Sequence, residues 1–392
     1  MCDLVAKYNV PGPRYTSYPT VPYWDVPAFS GKAWKESVSR IFAESNEQKG
    51  ISLYIHLPFC ESMCTFCGCH KRITRRHSVE MPYISALLKE WELYRKLFGK
   101  RPVIRELHLG GGTPTFFSPE NLKVLLDGIF RYADRADDWE YSFEGHPANT
   151  TREHLRVLYQ AGFRRVSYGV QDYNETVQKA INRIQTYEQV EAVTRLSREE
   201  GFTSVGHDII YGLPFQRVDH VVETLKKTAE IRPDRLAFYS YAHVPWLKGN
   251  GQRGFQDSDL PTPDEKRRQY ELGKEILGGA GYKEIGMDHY ALEADGLYQS
   301  MVNGGLHRNF MGYTVSHTQM MLGLGVSSIS DSGYGFAQND KNIEEDEHLV
   351  SSGIIPVFRG HRLSEEDQLI RRHILDLMCR FATRWDKGLS TE

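Results

Sequence analysis

No stretch of the sequence reaches the run of about 18 apolar residues that a membrane-spanning helix needs, so no membrane span is expected. Excess charge of either sign is also missing. Lys plus Arg total 48 against 51 Asp plus Glu, a net charge of −3, which gives no support for a nucleic-acid binder working through bulk charge. The opening residues, Met1-Cys2-Asp3-Leu4-Val5-Ala6-Lys7, show no basic stretch followed by an apolar one. No secretory signal is read there, and the expected location is the cytoplasm. Internal repeats, low-complexity tracts and glycine-serine linkers are absent as well.

Cysteine is scarce but concentrated. Of six, Cys60, Cys64, Cys67 and Cys69 fall within ten residues, while Cys2 and Cys379 stand apart and read as incidental. Disulfides among four such close neighbours would close small loops that constrain little of a long unfolded chain. In a cytoplasmic chain a metal site is the better reading.

At 392 residues the chain exceeds a common single domain but fits one large α/β barrel with extensions. Candidate strands are Ser52–Leu57, Val103–Leu109, Glu140–Glu144, Arg165–Val170, Ser204–Tyr211 and Arg235–Tyr241, with another run near Lys283–Met287. Between them lie amphipathic helices. Ile84, Leu87, Leu88, Trp91, Tyr94 and Leu97 recur at the spacing of one buried helix face. Thr150 with Glu153, Thr186 with Gln189, and Thr262 with Glu265 have capping-box spacing, and Pro263 suits a first helical position. Repeated β-then-α units imply a parallel sheet, either curled into a barrel or opened into a doubly wound fold, with chemistry at the carboxyl ends of the strands. Three regions are expected: an amino-terminal arm and helix (1–50), the α/β body (51–290), and a carboxy-terminal region (291–392) that is helical from about Ser364. The acidic run Glu344–Glu347 reads as solvated surface.

The first strand leads into Cys60-Glu61-Ser62-Met63-Cys64-Thr65-Phe66-Cys67-Gly68-Cys69. Structural zinc sites usually bring two separated cysteine pairs together, whereas here C-x3-C-x2-C lies on one short loop. Such a loop can hold three corners of an iron–sulfur cube and leave one iron open for catalysis. Zinc with Cys69 as fourth ligand, and inert buried thiols, are the alternatives.

The cysteine loop resembles that of the radical S-adenosylmethionine enzymes. The surrounding strings are similar to those of the oxygen-independent coproporphyrinogen III dehydrogenases, also called oxidases, of heme synthesis. These strings are Pro-Gly-Pro-Arg-Tyr-Thr-Ser-Tyr-Pro-Thr (11–20), Tyr-Ile-His-Leu-Pro-Phe-Cys (54–60), Cys-Gly-Cys (67–69) and Gly-Gly-Gly-Thr-Pro-Thr (110–115). Gly-Val-Gln-Asp (169–172), Ile-Tyr-Gly-Leu-Pro (210–214), Gly-Met-Asp-His (286–289) and Leu-His-Arg-Asn-Phe (306–310) follow in order.

The resemblance implies a partial (β/α)6 barrel with an amino-terminal extended arm and an apparently shortened carboxy-terminal helical part. It implies a 4Fe-4S cluster on Cys60, Cys64 and Cys67 whose open iron chelates S-adenosylmethionine. One electron into the cluster would then yield methionine and a 5′-deoxyadenosyl radical. Tyr54, Gly111 and Glu144 are expected to contact that first molecule. Phe66, Gly112, Thr113, Gln171, Arg183, Asp208, Ala242 and Ile329 are expected to contact a second S-adenosylmethionine. The implied substrate is coproporphyrinogen III, two of whose propionates become vinyl groups. Arg14 and Arg308 are candidates for its carboxylates, and Tyr15 and Tyr18 for its pyrroles. Cys69 is auxiliary rather than a ligand. His70 stands where relatives more often carry asparagine. A reductase or flavodoxin-type electron donor and a monomeric chain complete the expectation. The competing readings are a heme-binding chaperone and a heme-degrading radical enzyme.

Overall fold

Runs rich in β-branched and aromatic residues become the central strands, as a half-buried pleated surface favours. They are β1 (Ile51–Leu57), β2 (Val103–Gly111), β3 (Asp134–Gly145), β4 (Arg165–Gln171), β5 (Ser204–Tyr211) and β6 (Arg235–Ser240). In this computed structural model, which describes residues 17–24, 31–246 and 254–384 with Lys7, Phe29, Gly251 and Gln252, the six strands lie side by side in chain order. Each is hydrogen-bonded in parallel to the next. A doubly wound sheet reverses strand order at a switch point, and this one does not. With right-handed crossovers, unbroken order puts the connecting helices on one face. Periodicity left barrel and open sheet undecided and the resemblance implied a partial barrel; the strand order agrees with the barrel.

Helix α1 (Gly31–Lys49) precedes the strands. Helices α2 (Glu80–Phe98), α3 (Pro119–Phe130), α4 (Arg152–Gln160), α5 (Glu175–Ala180), α6 (Tyr187–Glu199), α7 (Val218–Ile231) and α8 (Pro263–Gly279) lie between or after them. From α1 to α4, then α6 to α8, each touches the next around the outside. The core is the layer between them and the strands. On α2, Ile84, Leu87, Trp91 and Tyr94 are buried as the spacing predicted, in one core with Ile55, Leu107 and Leu109, while Leu88 and Leu97 are half-buried at its margin and Tyr83 joins the buried face. Helix starts at Thr186 and Thr262 are capped as expected. The start of α4 is shifted by one: Thr151 caps with His154, while the Thr150 hydroxyl donates to His146 O.

The wall does not end at residue 290. Strands β7 (Lys283–Gly286) and β8 (His289–Ala291) extend it beyond β6 as antiparallel edge strands. After α9 (Gly296–Val302), strand β9 (Met321–Leu324) returns to pair in parallel with β1. Strands β10 (Ile329–Asp331) and β11 (Gly335–Asn339) follow. Helix α10 (Ile343–Ser351), strand β12 (Val357–Arg362) and helix α11 (Glu365–Arg380) come next, giving the order β12-β11-β10-β9-β1-β2-β3-β4-β5-β6-β8-β7. The two ends of this sheet do not pair with each other, so the barrel is partial. The acidic run lies on α10, and there the solvated reading needs correction. Glu344 pairs with Arg72, but Asp346 points inward with Ile343 and Val350. Burial, then the nearby Glu90 carboxyl, push Asp346 up to about 9.

The amino-terminal ends of the strands close on a polar layer. Glu106 accepts from Ser52 Oγ at 2.5 Å, Thr314 Oγ1 at 2.6 Å and Asn309 Nδ2 at 3.2 Å. Asp295 accepts from Arg235 Nε and from Ser204 Oγ, both at 2.7 Å, and Arg165 pairs with Glu140. The opposite ends of the strands carry the candidate site.

Candidate cofactor site

The loop that follows β1 is held from both sides. Gly112 N–H donates to Leu57 O at 2.9 Å and Thr113 N–H to Phe59 O at 3.0 Å, joining it to the end of β2. Thr65 N–H reaches Ile181 O at 3.0 Å, joining it to the end of α5. The loop therefore borders a cavity of about 390 Å³ at the carboxyl ends of β2 to β5. Its lining includes Cys60, Cys64, Phe66, Cys67, Cys69, Gly111, Gly112, Thr113, Glu144, Gln171, Arg183 and Asp208. A larger groove of about 730 Å³ lies between α7 and α8 on the helical exterior; charged side chains line it with Val218 and Val222, and it contains no cysteine or strand end.

The glycine turn is a packing device. Gly111 has φ +115°, and a Cβ there would lie 2.7 Å from the His56 ring. A Cβ on Gly112 would lie 2.6 Å from the backbone of Pro58. Neither position accepts a side chain while the two strand ends stay this close. Glu144, at the end of β3, accepts from Gly111 N–H at 3.2 Å and from His108 Nε2 at 3.5 Å. His108 Nδ1 faces Ser142 Oγ at 2.8 Å, which leaves the ring free to offer its other N–H to the carboxylate.

Tyr54 stands beneath this floor and does not line the cavity. Its ring stacks on His108 at 6.0 Å and its hydroxyl meets His56 Nδ1 at 3.0 Å. His56 Nε2 lies 3.0 Å from His70 O, so Nε2 carries the proton and Nδ1 accepts from Tyr54. Burial lowers His56 to about 4, so the ring stays neutral and this tautomer is fixed at neutral pH. The chain from Tyr54 through His56 to His70 ties β1 to the far end of the cysteine loop.

The thiols differ among themselves. Burial pushes Cys60 up to about 11, against a Thr113 hydroxyl 3.3 Å from its sulfur. A hydrogen bond from the Cys69 thiol, ahead of the Lys71 charge, brings Cys67 down to about 6. Cys64 faces Arg183, whose Nη1 lies 3.9 Å from its sulfur. Among the described residues no three His, Cys, Asp or Glu side chains converge on one point. A cluster does not ask for that, because each thiolate binds a different iron.

The far wall is polar and partly unsatisfied. Arg183 Nη2 donates to Gly169 O at 2.7 Å, yet its buried Nε has no partner. Gln171 is held at φ +67°, a backbone conformation disfavoured for its type, and its buried Oε1 has no partner either. Asp208 accepts from Ser167 Oγ at 2.9 Å, and burial raises it to about 7. A donor, an acceptor and a weakly bonded carboxyl facing one cavity with three thiols suit a zwitterionic ligand beside a thiolate-bound cluster. The residues present fit both groups.

Ala242 and Ile329 are not brought to the lining. Ala242 O and Phe66 O are bridged by Gln252 Nε2, at 3.0 and 3.3 Å, so the second position is tied to the first through a buried amide. Ile329 packs with Trp24, Phe310 and Phe336. Arg308 lies elsewhere: its guanidinium stands 5.1 Å from the Tyr313 ring centroid, with Nη1 3.7 Å from Met378 Sδ on α11. Arg14 and Tyr15 lie outside the described residues, and Tyr18 borders a small crevice with Arg308. Sequence reasoning missed His108, Ser167, Gln252 and Lys71. Only His108 left a signal, an inward position two residues before the glycine turn at a strand end.

The radical SAM superfamily signature covers residues 54–228. Oxygen-independent coproporphyrinogen III oxidase from Helicobacter pylori J99 is 38% identical over 389 residues, 98% of this chain and 84% of that protein. The Escherichia coli K12 enzyme is 39% identical over 378 residues, 96% of this chain and 81% of that protein. The solved structure of E. coli coproporphyrinogen III oxidase (HemN), described as a radical SAM enzyme, superposes with a TM-score of 0.89 at 37% identity. It covers 96% of this chain and 84% of that one. Near-full-length similarity, a matching fold and three thiols bordering one cavity at the strand ends agree. The chain belongs to the oxygen-independent coproporphyrinogen III oxidases of the radical SAM superfamily.

Proposed function

We propose that this chain converts coproporphyrinogen III to protoporphyrinogen IX without oxygen, in the cytoplasm, as a step of heme biosynthesis. The observation that carries the reading is the meeting of Cys60, Cys64 and Cys67 with the unsatisfied Arg183 Nε and Gln171 Oε1 at one cavity. A 4Fe-4S cluster on the three thiolates, with S-adenosylmethionine bound, supplies the hydrogen-abstracting radical chemistry. Each of two propionates loses a β-hydrogen atom, carbon dioxide and one electron, and leaves a vinyl group.

The chain's own residues bind, orient and exclude water. Glu144 takes the ammonium of the first S-adenosylmethionine from the β3 end. Arg183, with Nε unsatisfied, takes the carboxylate of a second one by a charge-assisted bond, and Gln171 Oε1 accepts from its amine. Phe66, Gly112, Thr113 and Asp208 line the remaining wall, while Ala242 contributes through its tie to Phe66. Thr113 and the Cys69 thiol donate to cluster-side sulfurs and steady the thiolate charge.

The test is anaerobic turnover of the reconstituted protein with reductant, S-adenosylmethionine and coproporphyrinogen III, following methionine and porphyrin products together. Vinyl products formed in step with methionine are expected. An intact cluster that releases methionine but leaves all four propionates in place overturns the substrate assignment. Tight heme binding without methionine release would favour the chaperone reading instead.

A further inference from the structure

Immediately beyond the thiols runs Lys71-Arg72-Ile73-Thr74-Arg75-Arg76-His77, four Lys or Arg and no carboxylate in seven residues of a chain whose net charge is −3. This stretch is not a loose loop. Arg72–Ile73 pairs in parallel with Phe59–Cys60, so Arg72 N–H donates to Pro58 O at 2.8 Å and Thr74 N–H to Cys60 O at 2.9 Å. Lys71 Nζ rests on the carbonyls of Cys67 and Cys69, at 3.0 and 3.3 Å. At the far end the His77 ring stacks on Phe116 at 4.7 Å, and its Nδ1 meets the buried Glu80 at 2.6 Å. The basic stretch is thus fixed at both ends to the framework that positions Cys60.

Its charges are unevenly used. Arg72 is taken up by a bidentate pair with Glu344 on α10, where Glu347 also stands close. Arg75 and Arg76 are exposed, and among the described residues their side chains make no hydrogen bond or ion pair. Ile73, between them and Lys71, is 41% exposed. An exposed apolar residue beside two unpaired arginines is the make-up of a steered protein contact, with the charges setting encounter and orientation.

The reading above requires one external electron per S-adenosylmethionine cleaved. We propose that the face formed by Lys71, Ile73, Arg75 and Arg76 docks an acidic one-electron carrier protein; the proposal rests on the radical-enzyme reading. On transfer the carrier loses one electron and the cluster gains one, and no covalent bond forms or breaks. Thr74 is bonded directly to the backbone of Cys60, so a carrier seated on Arg75 and Arg76 lies against the segment that holds the first thiolate. A nucleic acid is the lesser fit. Its affinity depends on many phosphate contacts, and two unpaired arginines beside Lys71 on an otherwise acidic chain supply few.

The test compares wild type with Arg75→Glu/Arg76→Glu, Arg75→Gln/Arg76→Gln and Arg75→Lys/Arg76→Lys, all as reconstituted holoproteins. Binding of a purified acidic flavodoxin is measured by titration at low and high salt without coproporphyrinogen III. Methionine release is then measured with reduced flavodoxin and, separately, with dithionite. Expected results are an affinity loss of about tenfold or more in the Glu variant, a smaller one in the Gln variant and recovery in the Lys variant. Wild-type affinity falls as salt rises, and dithionite-driven release stays level. Flavodoxin affinity within about twofold across all four proteins overturns the proposal. So does a single-stranded oligonucleotide that binds wild type more tightly than flavodoxin and loses affinity in the Glu variant. A wrong substrate assignment leaves this comparison untouched. A wrong cluster assignment shows separately, as no dithionite-driven release from wild type.

Discussion

The two ends of the barrel treat buried polarity in opposite ways. At the amino-terminal ends of the strands, Asp295 holds Arg235 and Ser204, and Glu106 accepts from three side chains. The buried atoms there that lack a hydrogen bond, both Glu140 oxygens and Arg235 Nη1, sit in the ion pairs that Glu140 makes with Arg165 and Arg235. At the carboxyl ends, Arg183 Nε and Gln171 Oε1 are buried without partners, and Asp208 keeps one hydroxyl. A buried polar group left unmatched costs about 1–3 kcal/mol. Tolerating two of them at one end, outside any ion pair among the described residues, when the other end sets its unbonded atoms against opposite charges of its own, marks the first as prepared for a ligand. The lower end is closed by its own side chains and the upper end waits for someone else's.

The largest expected effect tests the upper end alone. Replacing Cys60, Cys64 or Cys67 by serine removes the iron–sulfur absorbance and takes methionine release to background. The unfolding midpoint of the apo protein should barely move, since these half-buried thiols carry little packing. Asp295→Ala does the reverse. Asp295 also caps α9, accepting from Leu297 N–H at 2.7 Å; breaking a buried ion pair and that cap together costs about 3–5 kcal/mol in urea unfolding, with S-adenosylmethionine affinity per folded molecule preserved. If Asp295→Ala lost affinity but no stability, the contrast between the ends would fail.

Gly111→Ala comes next. The φ of +115° and the approach to the His56 ring set a cost of about 1–3 kcal/mol, with His56 displaced from His70 O. A shifted His56 ring resonance in NMR checks it. Arg183→Lys keeps the charge and loses the fork, so S-adenosylmethionine binding by equilibrium dialysis should weaken about tenfold.

How far the sequence reached also divides by region. The six parallel strands and the inward face of α2 were legible because their periodicity is local. The cysteine loop was legible because ligand spacing is local too. Strands β9 to β12 were not. Met321–Leu324 is a short buried run whose identity as a strand depends on β1, far away in the chain. Asp346 was misjudged because an acidic run looks solvated until its helix is turned against α2. Arg308 sat in a persuasive string, yet its guanidinium packs on Tyr313 and Met378, contacts that no spacing announces. The unsatisfied atoms of Gln171 and Arg183 were invisible in the same way, since satisfaction is a property of neighbours.

The smallest effect is the one that separates the two ends by sign. Burial raises Asp208 to about 7, so the folded apo protein holds a proton that the unfolded chain gives up near its ordinary value of 3.8. Its contribution is present below the unfolded value and lost as pH rises through about 7. For Asp295 burial alone would also raise the carboxyl, but Arg235 and Ser204 outweigh it and hold the group below its ordinary value. That contribution is present above the unfolded value and lost as pH falls through the lowered one. Urea unfolding of apo protein from acid to neutral pH should therefore become less pH-dependent between about 4 and 7 in Asp208→Asn, with greater relative stability at the upper limit. Asp295→Asn should instead remove stability at neutral pH and flatten the profile on its acid side. S-adenosylmethionine should narrow the Asp208 difference, because a ligand ammonium near that carboxyl favours its charged form. Identical pH profiles for the two variants would mean that the two ends do not handle buried charge differently, and the contrast drawn from their hydrogen bonds would be lost.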